Sequence, residues 1–299
     1  MSTAILSINN LAKNYGSIKA LNGISFDVPK GCVFGILGPN GSGKTTTLGI
    51  ILDVLKANSG SFTWFDKPSS PDTRKQIGSL LETPNFYHYL SALDNLRITQ
   101  AISHRGTPND IEEVLKTVNL AHRKTSKFSS YSLGMKQRLA IGAALLGNPD
   151  VLVFDEPTNG LDPVGIAEIR ELIKRLANEG KTIIMASHLL DEVEKVCTHV
   201  AILKKGTLVT AGAVNEVMLN EDIAEVGATN AQQLFDALKS FSGSTGIKME
   251  GGNVQLYFPL GTAKLENINS YCFSKGITLN LLTLKRKSLE AKFFELTNN

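Results

Sequence analysis

Along the first 220 residues, short β-branched runs alternate with longer segments in which apolar residues recur at helical spacing, which predicts an α/β unit. The runs at 33–37 (VFGIL), 151–155 (VLVFD) and 182–187 (TIIMAS) are apolar at nearly every position. Strands of that kind belong to a parallel sheet buried on both faces. The runs at 5–9, 24–28 and 61–65 alternate instead and predict an antiparallel side sheet. Further strands are expected at 77–81, 200–204 and 207–211. Between 83 and 150 the strand signal disappears. Helical patterns at 91–103, 110–118 and 132–147 predict a helical insert between two strands of the core sheet. After residue 220 the order becomes strand 223–227, helix 231–241, strands 247–250 and 254–258 joined by Gly251-Gly252, helix 263–275, strand 277–284 and helix 289–296. That βαββαβ order is the one a ferredoxin-like α+β domain follows. The expected organisation is a domain over 1–220, with its helical subdomain at about 83–150, and a smaller domain over 221–299 that carries no catalytic signature.

Composition narrows the classes. A chain of 299 residues suits two domains, and 42% hydrophobic against 20% charged residues implies a packed core rather than disorder. The longest apolar run, 139–147, falls well short of the roughly 20 residues a membrane helix needs. The opening MSTAILSINN lacks the features of a secretory leader. Lys and Arg number 31 against 28 Asp and Glu, a net +3, so no direct nucleic-acid partner is expected. Cys32, Cys197 and Cys272 are scattered without metal spacing and suit a reduced, cytosolic chain.

Between the strand VFGIL and a helix beginning near Lys44, the residues Gly38, Pro39, Asn40, Gly41, Ser42, Gly43, Lys44, Thr45 and Thr46 match GxxxxGK[ST]. Gly41 and Gly43 let the backbone wrap closely around phosphate oxygens, and the helix N-terminus presents unpaired N–H groups and partial positive charge. Lys44 supplies a point charge for β- and γ-phosphates, and Thr45 a hydroxyl for Mg²⁺. The apolar strand VLVFD ends in two acids. Asp155 is placed to hold a hydrated Mg²⁺, and Glu156, pointing elsewhere, to polarise a water in line with the γ-phosphate.

Before that strand lies Tyr131-Ser132-Leu133-Gly134-Met135-Lys136-Gln137-Arg138; after it come Gly160-Leu161-Asp162-Pro163 and Ala186-Ser187-His188. A phosphate loop, SxGxxQR, an apolar strand ending DE, LDP and SH, in this order over about residues 1–220, resemble the nucleotide-binding domain of ABC transporters. The resemblance implies a P-loop NTPase (RecA-like) core and domains that pair head to tail around two ATP molecules, as a homodimer or with a related cassette. One subunit offers the phosphate loop and the other the signature segment. Ser132 has the character of an N-cap, so the free N–H groups of its helix would face the partner's γ-phosphate. Ser132, Gly134 and Met135 are the residues carried over; the usual LSGGQ reads YSLGM here, with Leu133 in place of a glycine and Met135 in place of the glutamine.

By the same resemblance His188 contacts the γ-phosphate, and Asp162 lies in the loop that crosses the dimer interface. Tyr15 matches the aromatic that stacks on adenine, although an aromatic near an N-terminus is ordinarily a core residue. His88, His104, His122 and His199 carry no such match. Glu82 stands where the family has a metal-binding glutamine, and a carboxylate there should bind Mg²⁺ more tightly and repel phosphate more. Glu82, SLGMKQR and the chain length together resemble the bacitracin-resistance and lantibiotic-immunity exporters. The aromatic segment 84–90 lies where the family receives a short helix of the membrane subunit; for Phe86, packing of the helical insert is an equal reading. Arg286 with Lys285 and Lys287 is either a lipid-facing or simply a solvated edge.

The resemblance implies an ATP-binding and ATP-hydrolysing subunit, peripheral on the cytosolic face of the membrane, that drives a separate transmembrane permease and leans towards export. The alternative is a soluble ABC ATPase acting on nucleic acid or ribosomes; the fused cassettes or long coiled coils of such proteins are not evident. A ligand-binding or dimer-stabilising role for the C-terminal domain would add to the first reading.

Overall fold

The computed structural model describes residues 4–218 and 221–286. The chain divides into two compact units, Met1–Val214 and Asn215–Asn299.

In the first unit, β1 (Ala4–Tyr15) and β2 (Ile18–Pro29) form a long hairpin; β3 (Val33–Leu37) then leads through a loop into α1 (Lys44–Ile51). Next come β4 (Ser59–Trp64), β5 (Lys67–Pro68), α2 (Pro71–Lys75) and β6 (Ile77–Leu80). The insert is α3 (Ala92–Ser103), α4 (Pro108–Thr117) and α5 (Leu133–Leu145). The chain returns through β7 (Val151–Asp155), α6 (Pro163–Asn178), β8 (Thr182–Ser187), α7 (Leu190–Val196), β9 (His199–Lys204) and β10 (Thr207–Ala213), and the short α8 (Val214–Met218) leads across the boundary into the second unit. The antiparallel side sheet runs β2-β1-β4-β5, and the core sheet β10-β9-β3-β8-β7-β6. In the core sheet β6, β7, β8, β3 and β9 are parallel, and only β10 turns back.

Every residue of β3, β7 and β8 is buried, as uninterrupted apolar strands require. Their side chains share one core with the side sheet, where Phe26 stacks on Phe34 at 5.5 Å and the buried Trp64 donates Nε1–H to the Ile51 carbonyl at 2.7 Å. Helices α3, α5 and α6 begin on recognisable caps. Ser91 accepts from the Asp94 N–H, Ser132 from Met135 N–H and Asp162 from Gly165 N–H. Helix α4 starts two residues earlier than the pattern suggests, because Thr107 and Asp110 form a capping box around Pro108.

Strand β1, at 12 residues, is more than twice the length of the predicted run 5–9. Its alternation breaks where the register shifts between Ile8 and Leu11, with Asn10 at φ 49°, so its second half does not read as a strand.

The second unit contains β11 (Glu221–Ala228), α9 (Ala231–Leu238), β12 (Gly246–Glu250), β13 (Asn253–Pro259), α10 (Leu265–Ser274) and β14 (Leu279–Arg286). Its sheet is antiparallel throughout, in the order β12-β13-β11-β14. Gly251 and Gly252, both at positive φ, close the β12–β13 hairpin. Ala224, Val226, Val254, Leu256 and Phe258 of the sheet pack with Leu234, Leu238, Ile268 and Cys272 of the helices. Ile277, predicted as strand, instead closes the end of α10: its N–H donates to the Cys272 carbonyl at 2.9 Å, with Gly276 left-handed before it. The predicted helix 289–296 and Lys287 lie outside the described residues.

Candidate nucleotide site

The parallel register sets the site. Leu37 pairs with Ser187, and Ala186 with Asp155, so the loop after β3, Glu156 after β7 and His188 after β8 leave one edge of the sheet together. The carboxyl edge of such a sheet is where ligands bind.

Gly43 precedes α1 at φ 107°, and a Cβ there would come within 2.6 Å of Leu21 Cδ2 and 2.7 Å of the Ala20 carbonyl, so only glycine fits. Helix α1 has no side-chain cap, which leaves first-turn N–H groups for a ligand. The side chain of Lys44 is only 6% exposed. Its Nζ donates to the Gly38 carbonyl at 2.8 Å, approaches the Pro39 carbonyl at 3.5 Å and lies 3.5 Å from Glu156 Oε1. Gly38 and Pro39 thus hold the lysine. Ser42 is buried with its Oγ unpartnered.

Glu156 Oε2 lies 2.8 Å from His188 Nδ1 and 3.4 Å from the His188 backbone N–H. One carboxylate therefore bridges Lys44 and His188, an arrangement in which the acid can accept a proton from a water beside a phosphate. Glu156 stands at φ 48° and Glu82 at φ 57°. A left-handed glutamate costs on the order of 1 kcal/mol, and such strain gathers at functional sites.

Asp155 is buried, and its Oδ1 has no partner. Burial pushes its carboxyl above the usual range; the Thr45 hydroxyl and Lys44 counter this, while Glu156 and Glu82 add to it. A buried carboxylate with a free oxygen, a neighbouring hydroxyl and a second carboxylate fit a hard divalent cation that takes its remaining oxygens from phosphate and water.

Lys44, Thr45, Glu156 and His188 open onto a cleft of about 540 Å³, whereas Gly38, Pro39, Ser42, Glu82 and Asp155 do not line it. Tyr15, Asn40, Gly41, Gly43, Lys44, Thr45, Thr46, Glu156 and His188 line it. Tyr15 is half exposed with Lys13 Nζ 5.1 Å above its ring, so it is not a core residue. Ile18, Lys19, Ala20 and Asn159 also line the cleft and were missed by the sequence reading. Asn159 lay between two motifs; the others follow Tyr15 in the part of β2 that was not predicted.

Ser132, Gly134 and Met135 do not line this cleft: they begin α5, with Ser132 Oγ 3.3 Å from the Met135 N–H. In the segment 84–90, Phe86 and His88 pack edge-on against Phe128 at 5.2 and 5.4 Å, whereas Tyr87 and Tyr89 stay exposed. Lys285 is engaged by Glu225 at 2.6 Å.

The profile of the ABC transporter family matches residues 21–159. The chain is 35% identical over 302 residues to the bacitracin transport ATP-binding protein BcrA of Bacillus licheniformis, covering 99% of this chain and 98% of that protein. It is 38% identical over 205 residues to the lantibiotic transport ATP-binding protein SrtF of Streptococcus pyogenes, covering 69% and 89%. The solved dimeric ATP-binding cassette MJ0796, bound to ADP and Pi after hydrolysis, aligns with a TM-score of 0.63 at 27% identity, over 70% of this chain and 98% of that one. With the motif order, the edge-of-sheet cleft and 35% identity to BcrA over nearly the full length of both chains, the chain belongs to the ATP-binding proteins of ABC transporters and is an ATP-hydrolysing cassette.

Proposed function

We propose that this cassette energises a separate transmembrane permease that exports a peptide antibiotic or a similar amphiphile, from the cytosolic face of the membrane. The observation that carries its catalytic part is the carboxylate of Glu156 held between Lys44 and His188 at the mouth of the phosphate loop. ATP enters with its phosphates on the loop 38–46 and its base against Tyr15. Lys44 draws to the β/γ-phosphates, which frees Glu156 to take a proton from the attacking water, and His188 orients the two. Thr45, Asp155 and Glu82 would hold Mg²⁺, which would supply positive charge to offset that of the phosphates.

The cleft lacks the signature residues of its own chain. This supports a head-to-tail dimer, either homodimeric or with a related cassette, in which Ser132, Gly134 and Met135 complete the partner's site. The substrate class rests on the names of BcrA and SrtF. No helix among the described residues is long and apolar enough to cross a membrane, which supports a permease on another chain. Exposed Tyr87 and Tyr89 suit its docking.

The domains we assign are 1–220, with the helical subdomain at about 83–150, and 221–299. A ferredoxin-like fold for the second is supported by its element order and by the sheet order, which reads 4-1-3-2 in strand sequence.

The test is co-purification. The Glu156→Gln chain is tagged, trapped with ATP in its host, and recovered from gently solubilised membranes. A multi-span protein is the expected companion. Recovery only with ribosomes or nucleic acid would remove the transport reading and leave a soluble ABC ATPase.

A further inference from the structure

The starts of α5 and α6 lie against each other within the first unit. A Cβ on Gly134 would find the Gly165 Cα at 4.0 Å, and one on Gly160 would meet Leu133 Cδ2 at 3.4 Å. Both distances are ordinary van der Waals contacts, whereas at Gly165 a Cβ would sit 2.8 Å from Asp162 Oδ1, the oxygen that accepts the Gly165 N–H to cap α6. The first turns of the two helices therefore pass close to each other at Gly134 and Gly165. Contact between glycines lets helices approach but does little to set their register.

One turn further on, the two helices carry opposite charges. Arg138 Nε of α5 faces Glu168 Oε2 of α6 at 3.5 Å. The arginine side chain is 13% exposed and the glutamate 45%. That Nε makes no hydrogen bond, so the link is charge attraction in a partly dry crevice, where it is screened less than at the surface. The other edge of the guanidinium reaches the carbonyls of Val118 and Asn119, at 3.5 and 3.4 Å, just past the end of α4. Arg175 of α6 donates to the Thr117 carbonyl at the same place. Two cations thus meet the negative end of the α4 dipole. Arg138 is the point at which α4, α5 and α6 are tied.

We propose that Arg138 is a positioning residue for ATP hydrolysis. Through Glu168 it locks the starts of α5 and α6 together, so that Ser132–Met135 and Asp162 meet the partner copy's nucleotide as one element. This rests on the head-to-tail pairing proposed above. The free N–H groups of α5 act on a phosphate only at hydrogen-bond range, and a misplacement of about 1 Å can cost up to ~100-fold in rate. Arg138 does not line the chain's own nucleotide cleft, so its loss should spare binding there.

The test uses the full-length chain. Turnover is measured for Arg138→Met, Glu168→Ala and the double variant, and ATP-driven dimerisation for the same changes in a Glu156→Gln background. Each single change is expected to lower kcat about tenfold and to raise the protein concentration for half-dimerisation similarly, with the KM for ATP within about twofold. The double variant should lose little more than either single change, because the two residues act through one link. Arg138→Lys should recover part of the loss. Half-exposed Glu168 can be truncated without opening the core, so its variant reports even if Arg138→Met folds poorly. The proposal is overturned if Glu168→Ala dimerises and turns over like the parent, or if the two losses multiply. If Glu156→Gln with Arg138 intact stays monomeric in ATP, the head-to-tail pairing itself fails and takes this proposal with it.

Discussion

The two units treat their buried polar groups differently. Among the described residues, the buried side-chain atoms left without a hydrogen-bond partner are Ser42 Oγ, Arg138 Nε and Asp155 Oδ1, all in the first unit. Glu82 and Glu156, forced into left-handed backbone, lie there too. In the second unit the buried acids are engaged. Asp222 accepts from the Gly261 and Ala263 N–H groups, and Glu225 from Lys285 and Asn253. Arg138 Nε has the charge of Glu168 beside it, whereas Ser42 Oγ and Asp155 Oδ1 lie at the phosphate loop and the end of β7; a buried polar group whose partner is missing is costly, so such a group persists where something outside the chain completes it. Satisfied groups hold a chain in place. The cassette carries its chemistry in the first kind, and the C-terminal unit is built with the second.

The sharpest way to break this contrast is Glu156→Gln. Glutamine keeps the shape but cannot take a proton, so ATP turnover should fall by about 10²–10⁴ while nucleotide still binds. Single-turnover hydrolysis and nucleotide titration separate the two. Hydrolysis at the parental rate would remove the general-base assignment and leave the strain at Glu156 unexplained.

Asp155→Asn tests the same contrast through stability. Burial raises the Asp155 carboxyl above its unfolded value, so the free protein holds that proton more tightly than the unfolded chain does. Its favourable contribution is present below the unfolded pKa and is lost as pH rises through the folded one. Once ionised, the acid is therefore a burden. The asparagine variant should melt at a higher temperature than the parent without nucleotide or metal, and the gain should vanish as pH falls into the carboxylate range. Hydrolysis should be lost, since the cation needs the ionised acid. In the parent, metal-dependent ATP binding should weaken as pH falls through the raised pKa. An unchanged or lower melting temperature at neutral pH would mean that Asp155 is a structural acid after all.

The part of this site that follows from local chemistry was legible in the sequence. β3, β7 and β8 have the predicted bounds because a strand buried on both faces is apolar along its interior and carries polar residues only at its ends. The phosphate loop, Glu156 and His188 follow directly from those strands. What hid was whatever depends on chain folding back over chain. The second half of β1 is masked by its register shift. Lys19, Ala20 and Asn159 reach the cleft through the hairpin and the loop after β7, and no local pattern announces them. The bridge from Lys44 through Glu156 to His188 joins residues far apart in sequence, so the motifs named its members without describing their contact. In the C-terminal unit the alternation of β13 was readable, whereas Ile277 was misassigned because an apolar residue closing a helix looks like the start of a strand.

The smallest effect is expected in the second unit, and it tests the other half of the contrast. Asp222 is 5% exposed, and its Oδ2 lies 2.8 Å from the Gly261 N–H and 3.4 Å from the Ala263 N–H, in the turn between β13 and α10. Alanine there leaves both donors without that acceptor, at a cost of about 1–3 kcal/mol. For a unit of this size each kcal/mol corresponds to roughly 4–8 °C in melting temperature. Asparagine keeps one oxygen that can face both donors, so it should cost less than alanine. Calorimetry across the two variants gives that order, and ATP turnover measured well below the transition should stay at the parental value in both. A turn held by a satisfied acid can be loosened without touching the phosphate loop only if the C-terminal unit serves as scaffold. Should Asp222→Ala slow hydrolysis at temperatures where the unit is still folded, that unit communicates with the nucleotide site, and the division between a chemical half and a structural half of the chain does not hold.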